Sequence, residues 1–165
     1  MLTKKICMLG SFSVGKTSLV TRFVLRAYSA DYLTTVGVKV DKKVLRVGEQ
    51  EVMLMLWDLA GDDDFQRMNL NFLRGSAGII YVADGTRPAS LDAVIDLRER
   101  VRANLGELPA VLALNKADLV DAWLVVEARL EKLQEMGWSV RKTSAKDGVN
   151  VEESFSELAS RLLSQ

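Results

Sequence analysis

The amino-acid sequence predicts a single α/β domain on a mostly parallel sheet, and three observations predict it. Apolar runs of strand length alternate with amphipathic stretches of helix length, the sign of parallel βαβ units. A loop bracketed by glycines at residues 10–17 follows the first apolar run and opens the first helical stretch. The other polar motifs fall at the carboxyl ends of later runs, where open α/β sheets bind ligands. A length of 165 residues suits one domain with a buried core, and no repeat or Pro/Ser-rich linker divides it.

Residues 4–9 read as the first strand and 16–26 as its helix. Residues 38–47 and 50–57, broken at Gly48-Glu49, read as an antiparallel hairpin. Lys39, Lys42, Lys43 and Arg46 suit the first arm to an exposed edge, where charge discourages pairing with another chain. Residues 78–83 and 110–115 are unbroken apolar runs, as in strands buried on both faces, with a helix over 89–104 between them. The spacing predicts a helix over 121–136, with Trp123, Val126, Leu130 and Leu133 on one face and Gly137 as its C′ stop. Residues 138–141 form a short last strand. Asn150 then caps a final helix, with Glu153 at N3 of a capping box.

The 22 basic and 22 acidic residues cancel, so no global attraction draws the chain to nucleic acid, which is not an expected partner. The absence of His removes the commonest general acid/base and metal ligand. Chemistry must then rest on Lys, carboxylates, hydroxyls, backbone amides and a bound ion. Cys7 lies in an apolar run, cannot form an internal disulfide and reads as core. Nothing resembles a signal peptide or membrane span, so a cytoplasmic location is expected. The last five residues hold no Cys to prenylate, and no lipid anchor is expected in this chain.

Gly10-Ser11-Phe12-Ser13-Val14-Gly15-Lys16-Thr17 satisfies G-x-x-x-x-G-K-[ST]. The glycines let successive N–H groups face a phosphate, and the following helix N-terminus, where Ser18 continues the set, adds positive potential. Lys16 would reach the β- and γ-phosphates and the Thr17 hydroxyl would bind Mg²⁺. The plain alternative is a turn before a helix. The loop alone leaves ATPases, GTPases and small-molecule kinases open. Asn115-Lys116-Ala117-Asp118 follows a buried strand, and the Asp118 carboxylate there can accept from guanine N1–H and the 2-amino group. Adenine offers the wrong edge, which would leave a buried carboxylate unpaired at about 1–3 kcal/mol or more. Ser144-Ala145-Lys146 follows the last strand, where the Ala145 amide can meet guanine O6. Either tract alone reads as a polar loop; in order, each after a strand, they point to guanine. Asp58-Leu59-Ala60-Gly61 ends another strand, with Asp58 placed to hold Mg²⁺ through water and Gly61 free to bring its N–H to a γ-phosphate.

In chain order and spacing the sequence resembles the small GTPases of the Ras superfamily over essentially its whole length. Thr35-Val36-Gly37-Val38, Trp57-Asp58 and Asn150-Val151-Glu152-Glu153 are most similar to the Rab branch. The resemblance implies a P-loop NTPase fold: a six-stranded, mostly parallel sheet flanked by five helices. It implies bound GTP or GDP with Mg²⁺, GTP hydrolysis, and effector and regulator proteins met through two switch loops. Thr35 matches the threonine that binds Mg²⁺ by its hydroxyl and the γ-phosphate by its N–H. Tyr28 matches the aromatic residue lying across the base, and Tyr32 a tyrosine covering the phosphates. Lys16, Thr35, Gly61 and the residue after Gly61 make up the catalytic set.

Two positions depart from the family. Asp62 stands where Gln usually orients the attacking water, and its charge opposes an anionic transition state. Phe12 fills a P-loop position often held by a small residue; it either obstructs an incoming arginine or packs beneath the second switch. Asp62, Asp63 and Asp64 also read as a helix start. The leading expectation is a GTP-hydrolysing switch, slow without an activator, whose partner surface includes Val36, Val38, Phe65, Met68 and Leu70. A non-catalytic nucleotide-loaded binding module is the rival, and a P-loop kinase for a small metabolite is disfavoured by the guanine motif.

Overall fold

The computed structural model describes residues 1–26, 38–59 and 70–165. Six strands form one sheet: β1 (Leu2–Leu9), β2 (Val38–Val47), β3 (Gln50–Leu59), β4 (Ser76–Asp84), β5 (Ala110–Asn115) and β6 (Val140–Lys142). Their spatial order is β2-β3-β1-β4-β5-β6. β2 pairs antiparallel with β3, Val47 opposite Gln50 across the Gly48-Glu49 turn, and every other pair is parallel. The lysine-rich β2 is indeed a sheet edge, and Lys39 pairs with Asp41 at 3.4 Å.

Strand residues alternate between the two faces, and the apolar runs are continuous because both faces are covered. Ile6 and Met8 of β1, Ile80 and Val82 of β4 and Val111 of β5 pack with α1 (Lys16–Leu25) and α4 (Val151–Leu163). Their neighbours Cys7, Leu9, Ile79, Tyr81 and Leu112 pack with α2 (Pro88–Leu105) and α3 (Glu127–Glu135) on the opposite face. Each such fully buried side chain contributes about 1.5–3 kcal/mol over an exposed one. Phe23 of α1 stacks on Phe155 of α4 with centroids 4.1 Å apart. The result is a platform with the carboxyl ends of the parallel strands β1, β3, β4 and β5 along one rim.

Some expectations need correction. Four α-helices stand among the described residues rather than five, and the expected helix start at Asp62–Asp64 lies outside those residues. The helix predicted over 121–136 begins only at Glu127; Val120–Ala122 is a 3₁₀ turn and Trp123 is extended. The cause is tertiary. Leu124 and Val125 both donate their N–H to Gly85 O, and the Trp123 ring fills the space where a Gly85 Cβ would stand, 2.0 Å away. Val125 is buried in consequence, and Val126 is exposed rather than on the core face. Asn150 precedes α4 but makes no side-chain cap. It sits at φ +56, and its Nδ2 donates to Lys142 O instead, tying α4 to the end of β6.

Candidate functional site

β1 ends at Leu9, and Gly10 follows where a Cβ would stand 2.3 Å from Val82 O of β4. Only glycine lets the loop leave the sheet this close to its neighbour. Ser13 takes a left-handed φ of +61° and Gly15 one of +101°, conformations that turn consecutive amides into an anion-binding concavity. A Cβ on Gly15 would also meet Asn115 Nδ2 at 2.3 Å. No side chain caps the N-terminus of α1 and no acid lies in its first turn. Its leading amides therefore suit an anion.

Lys16 is buried, with Nζ donating to Gly10 O at 2.8 Å and Ser11 O at 3.2 Å. Thr17 Oγ1 donates to Asp58 Oδ2 at 2.5 Å. Asp58 is fully buried, one residue from the end of β3. A hydroxyl and a carboxylate converging here offer the hard oxygen donors that Mg²⁺ prefers, and Mg²⁺ commonly takes only one or two protein ligands beside water and phosphate. The donor set fits that ion.

The base-binding motifs meet next to this loop. Ser18, Asn115, Lys116, Asp118, Ala145 and Lys146 line a cleft of ≈ 340 Å³ with Gly15 and Leu119, a size within the range of small-ligand pockets. Ser144 Oγ donates to Asp118 Oδ1 at 2.9 Å and accepts from Asp147 N–H at 3.0 Å. Asn115 Oδ1 accepts from Thr143 Oγ1 at 3.1 Å and from the Ala145 amide at 3.3 Å. The amide expected to face guanine O6 thus also touches Asn115. Asn115 Nδ2 donates to Val14 O at 3.0 Å, and Lys116 Nζ to Ser13 O at 2.9 Å, so the base motif also grips the phosphate loop. Phe12, within that loop, is 42% exposed. Tyr28, Tyr32, Thr35, Val36, Gly61, Asp62, Phe65 and Met68 lie outside the described residues. Val38 and Leu70, the described part of the expected partner surface, pack partly buried against the core.

Asp84 was not among the residues singled out by motif. It ends β4, 1% exposed, with Oδ2 at 2.9 Å from Lys116 Nζ and 3.1 Å from Arg87 Nε. Its Oδ1 accepts from Thr86 N–H at 2.8 Å and Thr86 Oγ1 at 2.6 Å. Burial pushes its carboxyl up, but the donors from Thr86 and Lys116 outweigh this and hold it below the usual carboxylate range. Two signals mark it in the sequence. It is an acid closing a buried apolar run, at the rim where such sheets bind ligands, and it opens Asp-Gly-Thr, an Asx-turn pattern.

Fold and rim together define a P-loop domain for a phosphorylated nucleotide. Comparison narrows this. The Ras family sequence model matches residues 5–164. Mouse Ras-related protein Rab-3C is 31% identical over 156 residues, 93% of this chain and 69% of that protein. Human Ras-related protein Rab-7b is 33% identical over 165 residues, covering 98% and 83%. Ras-related protein Rab-10 of Caenorhabditis elegans is 31% identical over 163 residues, covering 98% and 81%. The chain therefore belongs to the Ras family, as a Rab-like small GTPase that binds guanine nucleotide and hydrolyses GTP.

Proposed function

We propose that this chain is a cytoplasmic, Mg²⁺-dependent switch. In this reading it hydrolyses GTP slowly by itself and binds effector and regulator proteins through loops that respond to the γ-phosphate. The observation that carries it is the meeting, at one sheet rim, of the phosphate loop, the Thr17–Asp58 oxygen pair and the Asp118 cleft. Asp118 accepts from the guanine edge, and Ser144 holds its carboxylate in place. The loop amides and Lys16 hold the β- and γ-phosphates. Thr17, with Thr35 and water held by Asp58, keeps the metal site. The ion, when bound, neutralises charge on the transferring phosphoryl oxygens. Thr35 and Gly61 clasp the γ-phosphate and order two loops, which relax once it is lost.

Slow turnover follows from Asp62 and Phe12. A carboxylate spans less than Gln and repels the γ-phosphate, and the half-exposed Phe12 belongs to the very loop that an activating arginine must approach. Nucleotide carried by the purified protein, read by chromatography after denaturation, should be GDP or GTP. Single-turnover hydrolysis of preloaded GTP should be slow. It should rise about tenfold in Asp62→Gln, a small part of the 10³–10⁵ that a placed activator arginine is worth. Phe12→Gly should raise it further or permit activation. A fast parent that Asp62→Gln slows would make Asp62 a water-positioning carboxylate instead.

A further inference from the structure

Three consecutive carbonyls of the phosphate loop are each held from outside by a different side chain. Val14 O accepts from Asn115, Ser13 O from Lys116, and Phe12 O from Arg87 Nη2 at 2.8 Å. In a trans peptide the C=O and the next N–H point in opposite directions. Holding the carbonyls of residues 12, 13 and 14 outward therefore aims the amides of 13, 14 and 15 inward. The two peptides that flank Ser13 are the ones gripped by cations. Ser13 is also the non-glycine residue of the loop at left-handed φ, a conformation that persists only where its surroundings impose it.

Both cations are anchored on one atom. Lys116 Nζ and Arg87 Nε share Asp84 Oδ2, and Thr86 fixes the carboxylate through its other oxygen. The chain delivers Arg87 to this place by local means. Pro88 stands at the first position of α2 and keeps the residue before it out of the helical region. Arg87 accordingly stands outside the helical region, at φ −132° and ψ 90°. We propose that Arg87, anchored by Asp84, is a positioning residue that orients the Phe12–Ser13 peptide for phosphate binding. Lys116 and Asn115 belong to the guanine motif; Arg87 belongs to no motif and acts on phosphate alone. This rests on the guanine-nucleotide reading of the same site.

The test separates phosphate from base. GDP affinity is measured by fluorescence competition, and guanosine affinity, with no phosphate, by NMR titration. These are taken for the parent, Arg87→Ala, Arg87→Lys and the surface control Arg102→Ala. Arg87→Ala should lose GDP affinity by about tenfold, a partly exposed charge-assisted hydrogen bond's worth, with guanosine affinity unchanged. Arg87→Lys should recover part of the loss, because a lysine keeps the charge but not the fork that spans Asp84 and Phe12 O. Arg102→Ala should match the parent. An equal fall for GDP and guanosine, or no fall for GDP, overturns the positioning role. A parent that binds neither ligand overturns the guanine reading beneath it.

Discussion

The base side of the site and the phosphate side are built by opposite means. On the base side, side chains bond to side chains: Ser144 to Asp118, Thr143 to Asn115. These groups sit at the ends of β5 and β6, adjacent parallel strands of which β5 is buried throughout. On the phosphate side the ligand-facing groups are mainly backbone amides, and side chains act from behind by gripping carbonyls. In the proposed reading, specificity for a base resides in residue identity, whereas affinity for phosphate resides in a backbone conformation that side chains from other elements impose. Lys116 Nζ joins the two regions at Ser13 O, and Asn115 Nδ2 joins them again, since it both holds Val14 O and closes the space beside Gly15.

The joint at Asn115 is the most sensitive point. Gly15→Ala would place a Cβ on a left-handed residue and against Asn115. The strain and the lost hydrogen bond together amount to about 2–4 kcal/mol. GDP affinity by fluorescence titration should fall about a hundredfold, and guanosine affinity should fall with it. A loss confined to GDP would mean that the two sides are independent.

Thr17→Asn strikes the phosphate side alone, through the hydroxyl that meets Asp58. GTP affinity in Mg²⁺ should fall by about tenfold or more, the worth of an interaction with a charged partner, while GDP is better retained and guanosine unaffected. Equal GTP affinity in mutant and parent would remove Thr17 from the metal site.

The smallest effect concerns acid. Asp84 serves the phosphate loop, whereas Glu157, held by Ser139, Arg141 and Arg161, joins β6 to α4 away from it. Burial raises both carboxyls, but their hydrogen-bond donors outweigh it, so both lie below the usual range when folded. A depressed folded pKa means stability present above the unfolded value, near 4, and lost as pH falls through the folded value. Urea midpoints should therefore decline from about pH 5 downward. Glu157→Gln should flatten that decline by about 1 kcal/mol or less without changing GDP affinity at pH 7. An unchanged slope would remove Glu157 from the account.

The same contrast explains what the sequence made legible. Asp118, Ser144 and Lys16 were readable because their chemistry requires those residue types at that spacing. The strands were readable because burial on both faces demands unbroken apolar runs, as at residues 110–115. Arg87 escaped because gripping a carbonyl requires only a donor, which many residue types supply. Asp84, the acceptor that anchors it, carries only the general signals of an acid closing an apolar run and opening an Asx turn. The false helical start at Asp121 has a related cause. Trp123 fits the helical period, but its partner is Gly85, 38 positions earlier, and no local pattern reveals that Leu124 and Val125 bond to its carbonyl. The unformed cap at Asn150 is similar: its Nδ2 is tied to Lys142 O and its backbone sits at φ +56° rather than in the extended region of an N-cap, so its side chain makes no bond to the first amides of α4.

The central claim is that the cleft beside Gly15 reads guanine through Asp118, and one competition experiment tests it directly. Parent and Asp118→Asn are loaded with fluorescent GDP, or with its xanthine counterpart, and challenged with unlabelled GDP and XDP. A carboxamide donates to the xanthine 2-oxo group where the carboxylate accepted from the guanine 2-amino group. Preference should therefore invert: GDP affinity falls by about a hundredfold or more, the worth of two hydrogen bonds to a charged group, and XDP becomes the better ligand. GDP affinity left unchanged in Asp118→Asn would contradict the account.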